Sequence, residues 1–284
     1  MGLWDSVTGF FSDIGDFFSG KDFFEVSGYM WNDLMELASD ALLADPSSGS
    51  YEATWKSIST MYTTLNAVAV TLMVVFFLYG FCRDSCDLHA DLTFDRTIKM
   101  FIRLIITSNV MSLALSWMPK FMGWGKSLAS AILGKNTIMA FSFDGAQAYN
   151  YIAEGDFGIM TAFLTAIIFF IFTCVCGFMI VLTVLNRLLK IYMIAPFAGL
   201  ALSTLAAGGG TAQVGYSYIR TFFGYVLSAL VIAVVIAISG KFIDTIAIDT
   251  ENGIIRLLEY CLKMGAVASS VKMSDSVMQK AFNL

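Results

Sequence analysis

The stretch IMTAFLTAIIFFIFTCVCGFMIVLTVL, Ile159–Leu185, runs for 27 residues without a charge. About 20 mostly apolar residues suffice to carry a helix across ~30 Å of hydrocarbon at ~1.5 Å per residue. That one segment commits the chain to a membrane. Its surroundings agree: of 284 residues 57% are hydrophobic and 14% charged, where a soluble domain averages roughly 45–50% and about 25%. Such a balance excludes a disordered chain, an ordinary soluble enzyme and a nucleic-acid module with a basic face.

Four further segments reach span length. Tyr62–Phe81 is uncharged, and Ile98–Met118 carries Lys99 and Arg103 in its first two turns. Leu188–Leu205 is interrupted by Lys190 and Pro196 and runs out into Gly208-Gly209-Gly210. Phe222–Ser239 is closed by Gly240-Lys241. The expected fold is an all-α integral membrane protein with about five transmembrane helices, plus amphipathic N-terminal, central-loop and C-terminal helices. Ile254–Val271 carries Arg256, Glu259 and Lys263 and reads as amphipathic or interfacial. The corresponding division is an acidic helical arm over 1–50, a transmembrane domain over 51–241 and a C-terminal helix and tail over 242–284.

Charge is segregated. Residues 1–61 hold ten acids and two lysines, and the remainder holds 15 bases against 12 acids, so the net −5 belongs to the arm. Residues 1–20 lack a basic start and a continuous apolar core, which predicts no secretory signal peptide. Leu3, Trp4, Val7, Phe10, Phe11 and Ile14 instead follow helical spacing, as do Trp31, Leu34, Met35 and Ala38. Two short amphipathic helices and a turn at Asp45–Gly49 are expected, acting either as an assembly surface or as a lid on the chain's own spans.

Lys and Arg collect near span ends on the cytoplasmic side. Arg83, Arg96, Lys99 and Arg103 mark one loop, Arg187 and Lys190 a turn between the third and fourth spans, and Lys241, Arg256, Lys263, Lys272 and Lys280 the tail. With five spans these share one side, which places the N-terminus outside and the C-terminus in the cytoplasm. Lys120, Lys126 and Lys135 in the central 119–158 loop oppose that orientation. The same loop predicts an interfacial helix near 121–133, anchored by Trp117 and Trp124.

Chemistry is sparse. His89 is the single histidine, no phosphate-binding glycine loop occurs, and no carboxylate lies within the five spans, so neither enzyme nor cofactor is expected. Cys82, Cys86 and His89 fall at i, i+4 and i+7, a spacing zinc accepts. Two reduced thiols and a surface histidine explain it more simply, and the five cysteines have no disulfide-framework spacing. Lys99, Arg103, Arg187, Lys190 and Arg220 form a candidate basic rim, suited to a polyanion or lipid phosphate, or else snorkel to headgroups. Pro196 with Gly208, Gly209 and Gly210 marks a candidate broken helix, tolerated at membrane depth only where it faces protein or a water-filled cavity.

The string Asn186-Arg187-Leu188-Leu189-Lys190-Ile191-Tyr192-Met193-Ile194-Ala195-Pro196-Phe197-Ala198-Gly199-Leu200, the triple glycine after it and the ending Val271–Lys280 resemble TrbL-like polytopic channel subunits of type IV secretion systems. The likeness is to the short form found in conjugative elements of Gram-positive bacteria and covers most of 55–284. It implies a non-catalytic subunit of the bacterial cytoplasmic membrane that forms homo-oligomers, by family analogy pentamers. Its implied partners are other secretion-system membrane subunits, ATPases, membrane lipid and transient single-stranded DNA or protein. The central loop would be the substrate-contacting region. Two rivals stand beside this reading: a small-solute secondary transporter, against which the lack of an internal repeat speaks, and an assembly or scaffold subunit without a conduit.

Overall fold

A computed structural model describes residues 20–86, 94–133, 145–146, 149–150, 159–244 and 253–282. Among the described residues every regular element is helical. The long helices are α1 (Lys21–Leu43), α2 (Glu52–Ser85), α3 (Phe94–Leu133), α4 (Ile159–Ile194), the short α5 (Ala198–Ser203), α6 (Gln213–Asp244) and α7 (Gly253–Phe282). Among the described residues four stretches are long and apolar enough to cross a membrane: Gly49–Ser85, Thr97–Leu133, Met160–Ala207 and Gly209–Ile238. Helix α7 is not among them.

Two expectations change. No turn separates a third from a fourth span: α4 continues through Asn186 and Arg187 to Ile194. Neither residue breaks a helix, and the first proline after Ile159 is Pro196, so the hydrophobic run cannot fold back where the basic residues suggested. Likewise Pro119 lies inside α3. The expected helix over 121–133 therefore exists as a continuation of the second span, at the cost of the hydrogen bond that Pro119 cannot donate. The remaining central-loop residues expected to be polar, and the arm before Gly20, lie almost wholly outside the described residues.

The chain divides into two compact units, one of Met1–Leu43, Ser130–Leu185 and Val231–Ser274, the other of Ala44–Ala129, Asn186–Leu230 and Asp275–Leu284. In the first, α1 lays its apolar stripe on the early part of α4. Phe24 and Trp31 are fully buried, Phe23 meets Phe163 and Phe170 edge-on at 5.7 and 6.0 Å, and Gly177 gives Leu34 room to seat. For residues 20–43 one face thus packs on the chain's own helix, while Val26, Tyr29 and Leu37 stay exposed. Helix α7 buries Leu257, Met264, Val267 and Val271 on one face, and its Glu259 and Lys263 pair at 2.6 Å while only 14% and 13% exposed.

In the second unit, α2, the early and middle part of α3, the run 186–207 and the start of α6 surround one apolar core that includes Tyr62, Met111, Leu188, Leu202 and Phe222. The Tyr62 hydroxyl donates to the Met111 carbonyl, joining α2 to α3. Close approach depends on Gly80, whose face lies directly against the Ala207 carbonyl. Replacing Gly80 with Val forces backbone against side chain, and overpacking of this kind costs about 1–3 kcal/mol. Gly123, in α3, has open space around it, so Gly123→Ala gains helix propensity of up to ~1 kcal/mol. Thermal unfolding of the two variants in detergent should move in opposite directions.

Candidate functional site

The element that departs from regular helix lies entirely in the second unit. Pro196 has no N–H to give the Tyr192 carbonyl, and α4 ends two residues earlier in a 3₁₀ turn, Ala195–Phe197. Helix α5 follows, then 3₁₀ turns at Thr204–Ala207 and Gly209–Ala212. Gly208 and Gly209 adopt φ of +65° and +55°, a region that side chains disfavour. Backbone groups freed by the break find hydroxyls instead. Tyr218 donates to the Ile194 carbonyl at 3.0 Å, and Thr204 accepts from the Gly215 N–H at 3.0 Å while donating to Ala201 at 2.7 Å. Pro196 and Gly208, Gly209 and Gly210 all fall in this irregular stretch, Ala195–Ala212.

The five rim candidates do not converge. Arg103, from α3, lies against Gly208, and Arg83, from the last turn of α2, lies against Gly209. Arg83 also pairs with Asp84 at 2.9 Å. Lys99 stands one turn earlier on α3, exposed and paired with Asp95 at 2.6 Å. Arg187 is at the opposite end of the unit: it lines a small cavity with Lys126 and Val226, and Lys126 is 23 residues beyond Arg103 on the same helix, ~35 Å at ~1.5 Å per residue. Lys190 stands over the Tyr225 ring, 5.7 Å from its centre. Arg220 is exposed on α6. One rim is replaced by two separated basic ends, because the unbroken α4 carries Arg187 and Lys190 away from the Arg83 end. The pooled orientation argument loses its second cluster for the same reason.

Among the described residues no group of three His, Cys, Asp or Glu side chains is placed to hold a metal. Cys82 and Cys86 are exposed free thiols, and His89 falls outside the described residues. Comparison with known families, curated proteins and solved structures found no match.

Two features went unread in the sequence. Thr54, Ser57, Thr60 and Thr64 put hydroxyls along one exposed face of α2, lining a broad groove with Met193, Pro196 and Phe197. Several of these hydroxyls return to carbonyls of their own helix, Thr60 to Lys56 and Thr64 to Thr60, both at 3.1 Å. Recurrence of Ser and Thr every three or four residues is the signal that could have found the face. The second feature is the turn before α2. Asp45 accepts from the Ser47 N–H at 2.9 Å and its hydroxyl at 2.8 Å, and Tyr192 donates to Pro46 at 2.9 Å.

The Ser47 N–H holds the Asp45 carboxyl below its ordinary range; desolvation opposes this, and the Ser47 and Ser48 hydroxyls and the Lys126 ammonium assist. A depressed folded pKa gives stability that is present above the ordinary value of 3.8 and vanishes as pH falls through the depressed one. Asp45→Ala should lose about 1 kcal/mol at neutral pH, a deficit that closes below pH 3.8 in thermal unfolding. Because α2 crosses between them, Ser48→Cys and native Cys86 should label with an impermeant maleimide from opposite faces of the membrane; labelling of both from one face would remove α2 as a span.

Proposed function

We propose that this chain is a non-enzymatic, oligomeric subunit of the membrane translocation channel of a conjugative type IV secretion system, helping single-stranded DNA and protein across the bacterial cytoplasmic membrane. The observation that carries the reading is the broken segment 195–212, which occupies the region of the family-like string and is held inside a bundle of apolar helices. Irregular backbone at such depth needs protein or water around it. Arg83 and Arg103 at the glycine turn supply a place where phosphate can be met by guanidinium, which forks onto it with two donors.

The uncharged hydroxyl face of α2 supports the conduit rather than a scaffold. A passage has to wet its cargo without holding it, and serine and threonine do that where a row of lysines would trap a polyanion. The exposed apolar residues Val68, Val75, Leu78, Phe101, Ile105 and Ile106 leave ample surface for lipid and for further copies. In this reading the Arg83 and Arg103 end faces the cytoplasm and the N-terminus lies outside. A cytoplasmic C-terminus requires an odd number of crossings; with four, it lies on the N-terminal side. Accessibility of Ser276→Cys, exposed on α7, decides between them.

The test is crosslinking of transferred DNA to this subunit in membranes, together with the mass of the detergent-solubilised protein. A ring of copies that crosslinks DNA during transfer is expected. Arg103→Glu, inserted at the normal level, should cut transfer by about tenfold or more, the loss of one charge-assisted contact of ~1.5–3 kcal/mol. A monomer stabilised by a small solute would replace this function with a transporter, and an oligomer that never crosslinks DNA would leave a scaffold.

A further inference from the structure

At the end of the second unit remote from Arg103, Arg187 is only 5% exposed. Its Nε and Nη1 meet no hydrogen-bond acceptor among the described residues. The side chain lines a cavity of about 10 Å³ together with Lys126, Pro46, Met122, Ile191 and Val226. That volume is about what one water-sized body occupies. Native proteins seldom leave buried guanidinium nitrogens unanswered, and such an atom points to a water or an ion.

Charge decides between those two. Neither Arg187 nor Lys126 forms an ion pair among the described residues. The nearby acid is Asp45, whose carboxylate is engaged by the Ser47 N–H and hydroxyl and is felt by Lys126. The Pro46 carbonyl already accepts from Tyr192. Among the described residues two cations face one acid, Arg187 is the buried one of the two, and burying an uncompensated charge is far costlier than burying a paired one. Water would satisfy the donors and leave the surplus; an anion removes it.

We propose that this cavity binds one small monovalent anion, a halide such as chloride, held by the Arg187 guanidinium with Lys126. A cavity this small favours a monatomic anion, little larger than water, over phosphate, sulfate or a lipid headgroup. The ion would join α4, α3 and the Ala44–Pro46 turn, closing the end of the unit that the Tyr192–Pro46 hydrogen bond also secures. The inference rests on this geometry alone and is independent of the transport function proposed above.

The experiment uses the full chain purified in mild detergent in sodium gluconate. Addition of chloride or bromide should raise the midpoint of thermal unfolding by several degrees and saturate, since a ligand bound to the folded state stabilises it by mass action. Sulfate at equal ionic strength should give no such rise. Arg187→Met should abolish the halide response while leaving the sulfate control unchanged. Should that variant fail to fold, the chlorine nuclear resonance line width with wild-type protein gives the answer: broadening reversed by bromide is expected. A wild type without saturable halide response, an equal response to sulfate, a responsive Arg187→Met, or no protein-dependent broadening would each overturn the proposal.

Discussion

The missing N–H of Pro196 sets the terms for the second unit. A helix that would otherwise continue must stop, and every carbonyl and amide released by the stop has to be paired inside a bundle of apolar helices. In water such groups would be solvated at little cost; in hydrocarbon each unpaired one costs several kcal/mol. Tyr218 and Thr204 meet that demand from α6 and from the broken segment itself. Their hydroxyls tie the break to the neighbouring helix, so the irregular segment is fixed in register rather than loosely draped. The chain then reverses at Gly208, whose positive φ leads into one 3₁₀ turn, Gly209–Ala212, before α6 begins. Gly80 completes the arrangement from α2 by letting the Ala207 carbonyl approach its backbone.

Much of this was legible from sequence because its signals are local. The uncharged run 159–185, the proline and the triple glycine each act within a few residues, and hydropathy finds helices in a membrane where the backbone has no alternative partner. The reading failed where a local signal was ambiguous about direction. Arg187 and Lys190 look like the charged turn of a helical hairpin, since positive residues cluster at span ends. Nothing in the adjacent residues says whether the helix stops there. It does not, and α4 carries both side chains into the bundle instead. Pro119 erred the other way, as a helix breaker that packing overrode. Gly80 was unreadable for a different reason, because its partner Ala207 is distant in sequence.

The burial of Arg187 has a consequence for how basic residues in membrane segments are interpreted. A snorkelling arginine spends its charge on headgroups and keeps only its stem among apolar neighbours. Arg187 has its whole guanidinium inside, beside Met122, Ile191 and Val226, so a snorkelling explanation fails for it. Arg103 is different: it is half-buried, and its guanidinium rests on Gly208 at the point where the backbone turns. Two arginines that look equivalent in the sequence therefore answer to different physics, one to desolvation and one to the geometry of a turn.

That difference bears on the division of labour between the two ends of the unit. The Arg83 and Arg103 guanidiniums flank positive-φ glycines and are only partly buried. Charge at the Arg187 end is enclosed, and the Asp45 turn beside it is internally bonded by Ser47 and Tyr192-linked Pro46. The hydroxyl face of α2 runs beside the broken segment that separates these two ends. The Tyr218 and Thr204 hydroxyls pin that segment to α6, so the same sequence elements that break the helix are themselves held in register.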